Sequence, residues 1–115
     1  MALAQVPGLV PFQLVRTNVG SWMHYTYVLS SEKDGHFYIG TTSDLRKRLK
    51  QHVQGRVTST AYRRPLRLAY YEACHSVDDA YRRERYLKSG RGGRYLKQRL
   101  STWLSSIREN KLDRH

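Results

Sequence analysis

The chain has 115 residues and a mass of 13.5 kDa, enough for one domain around one core. Hydrophobic residues make up 39% and charged residues 26%, a globular balance that argues against a disordered chain, and a single cysteine, Cys74, excludes an internal disulfide framework and a Cys-rich zinc motif. Twenty-one Lys and Arg against nine Asp and Glu give a formal charge of +12, the field expected of a protein that works beside polyphosphate, while no apolar run is long enough to predict a membrane-spanning helix.

Residues 1–23 carry one charge, Arg16, and two prolines, Pro7 and Pro11. No basic stretch precedes their apolar part, which Gln5, Pro7, Pro11 and Gln13 interrupt, so a secretory signal is not expected. This segment reads as a loosely ordered extension, or as a start-site artefact with translation beginning at Met23; residues 24–107 read as the domain proper and 108–115 as a frayed basic tail. A cytoplasmic location is expected, because the cysteine usage suits a reducing compartment.

HYTYVLSS and HFYIGT, on either side of Asp34-Gly35, form a strong hairpin signal and predict strands near 24–30 and 36–41. A loop at 32–35 sets Tyr27 opposite Gly40 and Leu29 opposite Tyr38, which puts both tyrosine rings on one face. Gly40 then leaves room for a backbone or ligand to approach. A helix follows over about 44–54, capped by Ser43 and stopped by Gly55, with Leu45, Leu49 and Val53 as its buried stripe and Arg48 and His52 flanking it. GRVTSTAYRRP, residues 55–65, reads as a polar loop and residues 66–73 as a third strand.

Ser76 caps a second helix running to about Ser89 and ending at Gly90. Its apolar face, Val77, Ala80, Tyr81 and Leu87, is interrupted by Glu84. A carboxylate there needs a partner, either a salt bridge to a nearby arginine or a metal ion. A third helix over 93–107 presents Leu96, Leu100, Trp103, Leu104 and Ile107 as one stripe, with GRGG as the turn before it.

YTYVL, then FYIGTTSDLRKRL, then a late Glu on an amphipathic helix together resemble the GIY-YIG nuclease superfamily, over roughly residues 24–100. The YIG tripeptide, Tyr38-Ile39-Gly40, is intact, whereas Tyr25-Thr26-Tyr27 stands where Gly-Ile-Tyr would be and only Tyr27 matches the functional tyrosine. The chain looks closest to the small stand-alone bacterial members. The resemblance implies an α+β fold, a small antiparallel three-stranded sheet flanked by about three helices, and hydrolysis of DNA phosphodiesters with Mg²⁺ or Mn²⁺ and no small-molecule cofactor. It implies that Tyr27 and Tyr38 line the cleft, that Arg48 contacts the scissile phosphate, that His52 occupies a site where the family uses His or Tyr, and that Glu84 binds the metal. The Thr that small members carry before the third strand would be Thr58 or Thr60. Thr41 stands where certain relatives have a lysine, which puts a lysine base in doubt.

The residues themselves can supply this chemistry. One carboxylate suits Mg²⁺, which keeps most of its waters. An arginine offers planar, permanently charged donors to phosphate oxygens. A phenol of ordinary acidity, about 10, is a poor base at neutral pH, whereas a histidine near 6.5 is better tuned, so the base is Tyr27 assisted by His52, or His52 itself. Substrate grip is assigned to Gly40, Thr41, Arg46, Lys47, Lys50, Arg56, Thr60, Arg63 and Arg64, with Tyr62 stacking on an exposed base, which favours single-stranded or structured DNA. The competing expectation is a nucleic-acid binding module with an idle site. The sequence does not specify an oligomeric state.

Overall fold

The computed structural model of the chain describes residues 23–113; the expectations for the N-terminal extension, its start site and residues 114–115 lie outside them. Three strands, β1 (His24–Ser31), β2 (Phe37–Thr42) and β3 (Leu66–Cys74), form one antiparallel sheet in the order β2-β1-β3. The described helices are α1 (Leu45–Val53), α2 (Thr58–Ala61), α3 (Val77–Lys88), α4 (Gly90–Arg99) and α5 (Ser101–Asp113). The expected α+β fold and sheet are present, with five helical segments where about three are predicted.

The hairpin turn fixes the register. Gly35 adopts φ +74°, a left-handed conformation open to glycine, and its N–H donates to the Ser31 carbonyl. Tyr27 therefore pairs with Gly40 and Leu29 with Tyr38, as predicted. Because β1 is the central strand, both of its faces are covered and seven of its eight residues are buried. Side chains alternate between the faces. Thr26 donates to the Ala80 carbonyl of α3, and Val28 joins Ile39, Leu87, Leu96 and Leu100 in the core; Tyr27 points the other way, toward α1.

Four helical expectations are corrected. The cap of α1 is Asp44, not Ser43: its carboxylate accepts from Lys47 N–H, while Thr42 Oγ1 accepts from Asp44 N–H. The inward stripe of α1 is Leu45, Arg48, Leu49 and His52 rather than Leu45, Leu49 and Val53, since Val53 is 62% exposed and His52 fully buried. The polar loop contains the helical turn α2, closed by Thr60 and Ala61 N–H groups on the Val57 carbonyl. Finally, GRGG opens α4 instead of forming a turn. Ser89 ends α3 and accepts from Gly92 N–H, so Gly90 begins a helix, and the single helix expected over 93–107 is two, broken at Leu100, with α5 continuing through the expected tail to Asp113.

Candidate active site

Tyr27, His52 and Thr60, which lie on β1, α1 and α2, form a buried chain. The Tyr27 hydroxyl lies 2.8 Å from His52 Nε2, and His52 Nδ1 lies 2.7 Å from Thr60 Oγ1. All three residues are at most 1% exposed. Tyr38, partly exposed, closes the group: its ring centroid is 6.4 Å from that of Tyr27 and 5.2 Å from that of His52.

Gly40 explains the fit. A Cβ there would meet the Tyr27 hydroxyl at 2.5 Å, so the space predicted for a backbone or ligand is filled by the phenol. The next residue, Thr41, lies on the opposite face as the partner of Thr26, and its hydroxyl donates to Glu84 Oε1. Edge strand β2 therefore carries Tyr38 on the side of Tyr27 and His52, the gap at Gly40, and the Thr41 contact to the carboxylate, within four consecutive residues.

Burial pushes the Tyr27 phenol's pKa up; a hydrogen bond from Arg48 opposes this, and the net direction is upward, toward a weaker acid. Burial, and then the charge of Arg48, push His52 down to about 4, so the imidazole is neutral at neutral pH. Desolvation raises Glu84, but hydrogen bonds from Lys88 and Thr41 outweigh it and the carboxyl ends below its ordinary value.

Glu84 is partly exposed, its side chain at 17%, within the inward face of α3 between Ala80 and Leu87. Its ion-pair partner is not an arginine but Lys88, one turn along α3 at 2.7 Å. Among the described residues no cluster of three acidic, His or Cys side chains exists, so a metal at Glu84 would have few protein ligands. That donor set fits Mg²⁺, which binds through one or two carboxylates and retains waters. An ionised oxygen already holding an ammonium group is suited to a cation.

Thr41, Thr42, Ser43, Asp44, Lys47, Arg48 and Gln51 line an open cleft of about 640 Å³. Arg48 Nη1 is steadied by Gln51 Oε1 at 2.9 Å. A smaller hollow of about 250 Å³ adjoins Lys47, Lys50 and Arg56, and Arg46 is exposed on the same helix. A cavity of about 580 Å³ between the hairpin turn and α5 contains none of the residues assigned to the site from sequence.

Several assigned contacts have other partners. Arg63 donates to Asp34 and to the His36 carbonyl, clamping the hairpin to the segment after α2 and holding Asp34 far below its ordinary value. Arg64 donates to the Ala61 carbonyl, and its guanidinium covers Gly55. Thr60 is fully buried and Tyr62 is 67% exposed. Glu72, on β3, is held by Arg83 and by the Tyr70 hydroxyl. Sequence reading missed the Thr60–His52 bond, and the only available signal was a Thr eight residues after a His, too weak without the intervening turn.

The protein-family model described as "GIY-YIG catalytic domain" matches residues 23–95. Similar proteins include a UPF0213 protein of Bacillus licheniformis, 41% identical over 66 residues, covering 56% of this chain and 67% of that one. A UPF0213 protein of Staphylococcus saprophyticus is 36% identical over 67 residues, 57% of this chain and 80% of that one. The solution NMR structure of a UPF0213 protein from Bacillus halodurans aligns with a TM-score of 0.43 at 35% identity, covering 66% of this chain and 83% of that one.

Proposed function

The chain belongs to the GIY-YIG family, and from that premise we propose that it is a divalent-metal-dependent endonuclease that hydrolyses DNA phosphodiester bonds. The observation that carries this reading is the arrangement at Gly40: the Tyr27 phenol, bonded to a neutral histidine, fills the space over the glycine while the adjacent Thr41 holds an ionised Glu84.

In this mechanism the scissile phosphate lies in the cleft beside Arg48, whose guanidinium binds its oxygens and stabilises the charge that grows on them. Tyr27 is 1% exposed in the free protein, so substrate binding would have to bring the attacking water to its oxygen, where that water would donate a hydrogen bond. As that water attacks phosphorus, its proton passes to the phenol and the phenol proton passes to His52 Nε2, while the bond from phosphorus to the leaving oxygen breaks and that oxygen departs with the bonding pair. The phenol is thus a conduit and His52 the acceptor, which removes the need for a free phenolate at neutral pH. Phosphate bound at Arg48 also offsets the positive charge that depresses His52, making the imidazole a stronger base when substrate is present. Glu84 would hold Mg²⁺ or Mn²⁺ in exchange for Lys88, and the ion would neutralise phosphate charge and aid the leaving oxygen.

Arg46, Lys47, Lys50 and Arg56 surround this region with charge suited to the DNA backbone, and exposed Tyr62 can stack on an unpaired base, which favours single-stranded or structured substrates. Single-stranded, duplex, flap and junction DNAs should be incubated with Mg²⁺, Mn²⁺ or chelator, using wild type and Glu84→Gln. Cleavage by wild type with metal, abolished by chelator and by the substitution, is expected. Binding without cleavage under every condition would leave only a nucleic-acid binding module.

A further inference from the structure

We propose that Thr60 is the positioning residue of this site: it dictates which nitrogen of His52 carries the proton, so that the Nε2 lone pair faces the Tyr27 hydroxyl. This deepens the reading of Tyr27 and His52 as a proton-accepting pair and rests on it for its catalytic consequence, but the tautomer can be measured independently of cleavage.

A neutral imidazole between two hydroxyls must donate at one nitrogen and accept at the other. In the first arrangement Nδ1–H donates to Thr60 Oγ1, the Thr60 hydroxyl donates to the Val57 carbonyl 3.4 Å away, and Tyr27 O–H donates to Nε2. Each hydrogen then has a protein acceptor. In the reverse arrangement Thr60 donates to Nδ1 and Nε2–H donates to Tyr27, and the phenol hydrogen must find another acceptor. Arg48, which faces the Tyr27 oxygen, is a donor only, and the phenol is 1% exposed. Leaving a buried hydroxyl hydrogen unpaired costs about 1–3 kcal/mol, so the first arrangement is favoured.

The consequence is directional. Only with Nε2 unprotonated can the imidazole take the phenol proton as the phenol takes one from water. Thr60 makes no contact with substrate in this scheme; its hydroxyl acts through His52 from the buried side of the ring. This reassigns Thr60 from the DNA-contacting role expected from sequence.

Nitrogen-15 NMR of the His52 imidazole in wild type, Thr60→Val and Thr60→Ser tests the proposal. Wild type should show Nδ1 protonated and Nε2 bare; Thr60→Val, which keeps the shape and removes the hydroxyl, should move the proton toward Nε2, and Thr60→Ser should restore the wild-type pattern. In cleavage assays Thr60→Val should lower kcat on the order of 10²-fold with DNA Kd unchanged, and serine should rescue it. Protonated Nε2 in wild type, or an unaltered tautomer in folded Thr60→Val, would overturn the proposal, and so would a Thr60→Val defect confined to DNA Kd. The wild-type spectrum decides the tautomer even if the valine variant does not fold or the protein cuts no DNA.

Discussion

His52 is enclosed by the rings of Tyr27 and Tyr38 and the hydroxyl of Thr60, and burial, reinforced by Arg48, keeps it neutral down to about pH 4. In the unfolded chain it would take up a proton near its ordinary value of about 6.5. As pH falls through this window the unfolded state binds the extra proton first, so the native state loses stability between about pH 6.5 and 4 and regains it as pH rises. The shift corresponds to roughly 3 kcal/mol at most. Urea unfolding across that range should show a steeper acid loss for wild type than for His52→Gln; parallel curves would mean that the imidazole is not held neutral. At the same scale, His52 shows what a sequence conceals. Its position one helical turn after Arg48 is plain, but periodicity sets both only at the flank of the buried stripe, and the structure turns both inward because their partners are a phenol and a cleft.

Within the elements, glycines mark the closest approaches, and each makes a prediction. Gly40→Ala places a methyl group against the Tyr27 hydroxyl, so the phenol must leave His52 or β2 must shift; a loss of about 1–3 kcal/mol in chemical unfolding and loss of cleavage are expected together. A variant with wild-type stability and cleavage would contradict the tight contact. Gly92 lies where α4 leaves α3, and an added Cβ would run into the Tyr86 carbonyl and Leu87 backbone, whereas Gly93 faces open space. Thermal unfolding should show Gly92→Ala strongly destabilised and Gly93→Ala unchanged or stabilised by up to about 1 kcal/mol, since alanine favours helix over glycine. The hairpin was legible because the Asp34-Gly35 turn dictates register, which brings Tyr27, Tyr38 and Gly40 together on sequence grounds alone. The break at Leu100 was not: Leu96, Leu100 and Leu104 keep helical spacing across it, and periodicity cannot see a local change of direction. Likewise α2, at four residues, is too short to carry a periodic signal.

Across the whole molecule the surplus charge is the dominant feature. Five acidic side chains among the described residues are tied in ion pairs, with Arg63, Arg67, Arg82, Arg83 and Lys88. These pairs leave Arg46, Lys47, Lys50 and Arg56 along α1 and the loop after it as the basic rim of the cleft. With about six phosphate contacts, DNA affinity should fall on the order of 10³-fold between about 50 and 200 mM salt, measurable by fluorescence anisotropy; salt-insensitive binding would argue against a phosphate-tracking surface. Charge and composition made a polyanionic partner legible, but they could not separate an enzyme from a binder, because that distinction depends on how one carboxylate and one phenol are placed around Gly40 and Thr41.

Single-turnover cleavage with protein in excess, alongside DNA binding, measures that directly in wild type, Glu84→Gln and Tyr27→Phe. Wild type should cut with Mg²⁺ or Mn²⁺ and stop with chelator, while both variants bind comparably and cut on the order of 10²-fold or more slowly. A wild type that binds DNA but never cuts it, or variants that cut at the wild-type rate, would contradict the assignment of metal-dependent hydrolysis to this site.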